Sequence, residues 1–130
     1  MYKVVIIDDE PIIVEGLGKS VDWNQFGCAV AGMAGSGEEG IRLIREVKPD
    51  IIFTDIRMPC MDGLTMIAAI RSEFPGTQIA ILTGYRDFDY AQRAIRLGVT
   101  RFLLKPSKMN EIREALSVMT ERLKERGEKG

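Results

Sequence analysis

Short apolar runs alternate with amphipathic stretches along this chain, and that alternation predicts its architecture. The runs are Val4-Val5-Ile6-Ile7, Ala29-Val30-Ala31, Ile51-Ile52-Phe53, Ile79-Ala80-Ile81-Leu82 and Phe102-Leu103-Leu104. Runs of this length, apolar at consecutive positions and rich in β-branched residues, suit parallel strands covered on both faces. Helices are predicted between them. Pro11 suits a first helical turn behind Asp9 or Glu10. Ser36-Gly37-Glu38-Glu39 reads as a capping box ahead of Ile41, Ile44 and Val47. Asp62-Gly63 precedes Leu64, Ile67, Ala68 and Phe74, and Asp87 precedes Phe88, Ala91, Ala94 and Ile95, with Gly98 as a stop. Met109, Ile112, Leu116, Met119 and Leu123 are spaced 3, 4, 3 and 4, one apolar stripe of a last helix. The charged stretch from Lys124 to Gly130 is expected to fray.

Five strands alternating with five helices predict an α/β doubly wound sandwich. Right-handed crossovers place helices on both faces of such a sheet. Ligands then bind at the carboxyl ends of the strands, near the switch point in strand order. The residues just after each apolar run are where chemistry is to be sought.

Those residues are unusual in combination. Asp8, Asp9 and Glu10 follow the first run, and Asp55 ends the third. Two unit charges 4 Å apart repel by about 1 kcal/mol in water and about 4 kcal/mol at an effective dielectric of 20. Carboxylates gathered in one crevice therefore call for a cation, and all-oxygen donors suit Mg²⁺ or Mn²⁺. Taken one at a time, Asp8, Asp9 or Asp55 could equally cap a helix or a loop. Thr83, after the fourth run, offers a hydroxyl to a phosphoryl oxygen, and Gly84 beside it leaves room for that group. Lys105, before Pro106, offers a point-charge ammonium. A nucleophilic carboxylate, a metal site, a hydroxyl and a lysine together make a phosphoryl-transfer constellation.

Composition narrows the classes. At 130 residues the chain is the size of one domain. Its net charge of -1 carries no basic surplus of the kind that nucleic-acid binders show, so direct DNA binding by these residues is not expected. No apolar run is long enough to cross a bilayer, and Met1-Tyr2-Lys3 leads straight into a strand without a cleavage site, so the expected location is cytoplasmic. Cys28 and Cys60 form no CxxC and read as two reduced thiols. The chain has no histidine, which excludes mechanisms that use an internal imidazole.

"KVVIIDDEP", "PDIIFTDIRMPCMDG", "ILTGY" and "FLLKP" stand in the order and at the separations found in receiver domains of bacterial response regulators. The resemblance covers about Lys3 to Leu123, and "DIRMPCMDG" around Asp55 is its most specific part. It implies a flavodoxin-like (βα)5 sandwich with a five-stranded parallel sheet of order 2-1-3-4-5, over residues 1–124, with 125–130 as a tail or linker. It further implies that Asp55 is the phosphoacceptor and Asp9 a direct Mg²⁺ ligand. Asp8 would share the metal site, partly through water, and the backbone carbonyl of Arg57 would complete the protein ligands. Thr83 and Lys105 would contact the phosphoryl oxygens, the bond before Pro106 would be cis, and Phe102 would be an aromatic switch beside Thr83. The partners implied are a sensor histidine kinase, an output domain, and a second copy through the fourth helix, fifth strand and fifth helix. "GYRDFDYAQRAIRLGVTRFLLKP" and "VDWNQFGCAVAGMAGSGEEGI" look more specifically like receivers that carry an AraC-type helix-turn-helix output domain. Cys60 departs from the family's loop, which often has glycine there.

Other classes share some of these features. A dehalogenase-like phosphatase also uses a strand-end Asp with Mg²⁺, but calls for a second Asp where this chain has Arg57. A flavodoxin-like carrier of FMN would find its phosphate repelled by Asp8-Asp9-Glu10. An interaction module with a vestigial site is the remaining alternative.

Overall fold

The computed structural model describes residues 1–129. Its elements run β1 (Tyr2–Ile7), α1 (Pro11–Ser20), a 3-10 turn (Trp23–Phe26), β2 (Cys28–Ala34), α2 (Gly37–Val47), β3 (Ile51–Thr54), α3 (Gly63–Ile70), β4 (Gln78–Thr83), α4 (Phe88–Arg96), β5 (Arg101–Leu104) and α5 (Met109–Lys129). The five strands form one parallel sheet in the order β2-β1-β3-β4-β5, as the pattern and the resemblance implied.

Two apolar layers enclose the sheet because alternate strand residues point to opposite faces. Val4, Ile6, Ile51, Phe53, Ala80 and Leu82 face α1 and α5, where they meet Val14, Leu17, Ile112, Leu116 and Met119. Val5, Ile7, Ile52, Ile79 and Ile81 face α2, α3 and α4, meeting Ile44, Leu64, Ile67, Ile70 and Ala94. Trp23 closes the first layer edge-on to Phe53, with ring centroids 5.8 Å apart, and its indole N–H donates to the Gly18 carbonyl at 3.0 Å.

Local signals set most helix starts. Ser36 Oγ accepts the Glu39 N–H, while the Glu39 carboxylate reaches back one residue further than a capping box would, to the Gly35 N–H. Asp62 caps α3 through the Thr65 N–H, and Asp87 caps α4 through the N–H groups of Asp89 and Tyr90. Gly98 takes a left-handed conformation just past α4, as its place at the helix end predicted. Arg71 holds the far side of the sheet together. Its guanidinium donates to the carbonyls of Phe74, Thr77, Leu97 and Gly98 and so joins the loop after α3 to the loop after α4.

The structure corrects three expectations. β2 is an edge strand, so Ala29 and Ala31 are exposed and not covered on both faces. On α4, Phe88 and Ile95 are each 75% exposed, and Ala94 is the residue that enters the core; on α3, Ala68 is exposed. α5 continues to Lys129 through the charged stretch, because Glu, Lys and Arg are good helix formers; Gly130 lies outside the described residues.

Cys60 lies in the loop between β3 and α3 at φ 70°. A left-handed conformation costs an L-residue about 1–2 kcal/mol, partly offset by the extra chain entropy that glycine would lose on folding. Cys60→Gly is therefore expected to stabilise the protein by about 1 kcal/mol, raising Tm by about 4 °C in thermal unfolding. An unchanged or lower Tm would show that the loop carries no strain at this position.

Candidate phosphoacceptor site

Strand register brings the site together. Ile7 pairs with Thr54, and Thr83 pairs with Leu104. The residues that follow are thereby aligned at one end of the sheet, where the Asp55 N–H donates to the Ile7 carbonyl at 3.0 Å and the Lys105 N–H to the Thr83 carbonyl at 2.7 Å. Asp8, Asp55 and Lys105 each stand immediately past a strand, β1, β3 and β5, at the same end of the sheet.

Lys105 spans the acidic pair. Its Nζ donates to Asp8 Oδ2 at 2.7 Å and to Asp55 Oδ2 at 2.9 Å, and lies 3.6 Å from Glu10 Oε1. Asp8 Oδ1 accepts the Glu10 N–H at 3.0 Å, and Asp55 Oδ1 accepts the Ile56 N–H at 2.6 Å. Asp8 and Asp55 are buried, whereas Asp9 and Glu10 are exposed. Burial is the largest influence on Asp8 and pushes its carboxyl above the usual carboxylate value, despite the bonds from Lys105 and the Glu10 N–H. Burial alone would lower Lys105, but its hydrogen bonds to Asp8 and Asp55 outweigh it and hold the ammonium above the usual lysine value.

Asp8, Asp9, Glu10 and Asp55 each offer a carboxylate oxygen within 4.8 Å of the others. One ammonium does not balance four carboxylates packed so closely, two of them buried. The donor set is all oxygen, which fits a hard divalent cation such as Mg²⁺.

Thr83 is fully buried, and its Oγ1 accepts the Tyr85 N–H at 3.4 Å. A Cβ built on Gly84 would meet nothing within 4 Å, so the space expected beside Thr83 is there. Phe102 is half-buried at the edge of the second core layer and pairs with Ile81. The Lys105–Pro106 bond is cis. Arg57 stands two residues past Asp55 with its side chain exposed.

Glu10 joins Asp8, Asp9 and Asp55 in the acidic cluster, as the Asp8-Asp9-Glu10 run suggested. Two features of the site escaped sequence reasoning. Gly63 is pressed against the loop that carries Asp55, since a Cβ there would collide with the Asp55 carbonyl oxygen and sit 3.2 Å from the Ile56 Cα. The Arg57 guanidinium lies 4.2 Å over the Tyr85 ring and donates through Nε to Tyr90 Oη at 3.3 Å.

The chain matches the family described as the response regulator receiver domain over residues 4–117, and it belongs to that family. It is similar to the receiver (REC) domain of AraT, a response regulator from Geobacillus stearothermophilus. That likeness has a TM-score of 0.91 and 42% identity, covering 97% of this chain and 98% of that one. A response regulator receiver domain protein from Clostridium thermocellum superposes with a TM-score of 0.85 at 29% identity, over 95% of this chain and 98% of the other. YesN of Bacillus subtilis (strain 168), described as an uncharacterized transcriptional regulatory protein, is 36% identical over 124 residues, 95% of this chain and 34% of YesN. The chain spans about a third to a half of the length of these curated relatives. Among the described residues no helix is long and apolar enough to cross a membrane.

Proposed function

We propose that this domain is a phosphorylation switch in which Asp55 accepts a phosphoryl group from the phosphohistidine of a partner sensor kinase in the cytoplasm. The observation that carries the reading is the Lys105 ammonium bonded to both Asp8 and Asp55 inside a cluster of four carboxylates. These 130 residues contain no histidine, so the donor imidazole comes from outside this domain.

Asp55 Oδ2 attacks phosphorus in line while the bond from phosphorus to the donor's imidazole nitrogen breaks. The electron pair leaves with that nitrogen, and an acyl phosphate remains on Asp55. Lys105, already at hydrogen-bond distance from Asp55, turns its ammonium to the incoming phosphoryl oxygens. Thr83 exchanges its bond from the Tyr85 N–H for one donated to the phosphoryl group. Asp8, Asp9, Asp55 and the Arg57 carbonyl would hold Mg²⁺, which neutralises charge on the transferring group when bound. Phe102 follows Thr83 inward, and the face made by α4, β5 and α5 repacks, favouring a homodimer or a new contact with an output domain. The stretches around Tyr85 and Trp23 that resemble AraC-type regulators support a DNA-binding output domain of that type. In this reading the receiver spans residues 1–124, and 125–130 begin the linker.

Amide chemical shifts recorded with a phosphodonor and Mg²⁺ test the switching claim. Changes are expected in the Asp55 loop and also along α4 and β5. Shifts confined to the Asp55 pocket would contradict it.

A further inference from the structure

The Arg57 side chain is exposed, yet it crosses from the loop after β3 to the loop after β4 and the first turn of α4. There the guanidinium rests 4.2 Å over the Tyr85 ring and bonds Tyr90 Oη at 3.3 Å. Tyr85 is held from a second side, since its N–H donates to Thr83 Oγ1 at 3.4 Å. Tyr85 is thus tied to one residue near Asp55 in sequence and to another whose hydroxyl faces the same end of the sheet. α4 itself is lightly anchored. Ala94 is its fully buried residue, and Phe88 and Ile95 point outward.

We propose that Arg57 is a latch that holds the start of α4 in the unphosphorylated protein and lets go when Asp55 is phosphorylated. The proposal rests on the phosphoacceptor reading above and adds a route from Asp55 to α4. A phosphoryl group on Asp55 places a double negative charge two residues from Arg57. A guanidinium bonds such an oxyanion more strongly than it bonds a phenol or the face of an exposed ring. The same event draws the Thr83 hydroxyl away from the Tyr85 N–H. Both changes remove restraints on Tyr85, and the Arg57 change leaves Tyr90 held by its packing on the second core layer alone. With little core burial opposing it, the first turn of α4 then opens more often.

Amide hydrogen exchange over residues 88–96 tests the latch, with beryllofluoride and Mg²⁺ standing in for the phosphoryl group. The wild type is expected to exchange faster in this segment when beryllofluoride binds. The Tyr85→Leu/Tyr90→Phe double variant removes both seats of the guanidinium. It is expected to exchange on the order of five- to seventyfold faster without beryllofluoride, as loss of one exposed cation–π contact and one hydrogen bond implies, and to gain little more when the mimic is added. Arg57→Met should reproduce that pattern, with amides of β1 and β3 unchanged in both variants. Wild-type exchange rates over 88–96 in Arg57→Met would overturn the latch, as would acceleration spread equally over β1 and β3. A wild type that responds at the Asp55 loop but keeps its α4 protection would overturn it too, leaving the phosphoacceptor reading in place. A wild type with no response anywhere would remove both.

Discussion

Gly63→Ala is expected to melt about 12 °C below the wild type and to lose most of its phosphoryl uptake. The Gly63 N–H bonds the Ile56 carbonyl at 2.7 Å, so α3 begins directly against the loop that carries Asp55. A methyl group there would overlap the Asp55 carbonyl oxygen, and its other near neighbours, the Asp55 carbonyl carbon and the Ile56 Cα, are also backbone. Backbone cannot rotate aside as a flexible side chain can. Overpacking of this kind costs about 3 kcal/mol, and any relief has to come from moving the Asp55 loop or α3. Thermal unfolding and a phosphorylation assay on the same sample check both halves. A variant that keeps its Tm and its uptake would show that the loop yields freely.

Lys105→Met should give the second large effect, and its size depends on conditions. Without the ammonium, the Asp8 and Asp55 side chains, 4% and 6% exposed, lose the cation between them. Removing one member of such a group costs about 3–5 kcal/mol when the remaining charge is trapped, and less where that charge can be neutralised. Asp8 offers that relief, so the loss at pH 7 in EDTA is expected to be about 2 kcal/mol, a fall of about 8 °C in Tm. The folded protein holds Asp8 above its ordinary value of 3.8 and so binds a proton there more readily than the unfolded chain does. The cost of keeping Asp8 ionised is therefore full above its folded pKa, eases as the pH falls through it, and is gone below 3.8. The Tm gap between variant and wild type should narrow on acidification toward that range. Lys105 behaves in the opposite sense in the wild type. Its raised pKa gives stability that is complete below 10.5 and is lost only as the pH climbs through the folded value. Mg²⁺ should raise the Tm of Lys105→Met more than that of the wild type, because it would meet an uncompensated cluster. Equal melting of the two proteins in EDTA at pH 7 would show that the ammonium does not offset the carboxylates.

Much of this was legible in the chain because the central strands are covered on both faces. Val4 to Ile7, Ile51 to Phe53 and Ile79 to Leu82 declare themselves as unbroken apolar runs, and Asp8, Asp55 and Thr83 stand within two residues of their ends. β2 was read too short because it lies at an edge, where alanine, glycine and an exposed methionine carry no continuous signal. The orientation of α4 was misread for a related reason. Phe88, Ala91, Ala94 and Ile95 make an apolar set at helical spacing, but spacing does not say which members face the core. Close contacts between loops far apart in the chain were not legible at all. The Gly63 approach to Asp55, and the Arg57 seat on Tyr85 and Tyr90, arise from how the loops after β3 and β4 meet at the sheet end.

The measurement that bears most directly on the central claim is the intact mass of the protein after incubation with acetyl phosphate, with and without Mg²⁺, beside Asp55→Asn. The expected result is a gain of one phosphoryl group in the wild type that requires Mg²⁺ and is absent in Asp55→Asn. No gain in the wild type, together with no binding of beryllofluoride, would contradict it, as would an equal gain in Asp55→Asn.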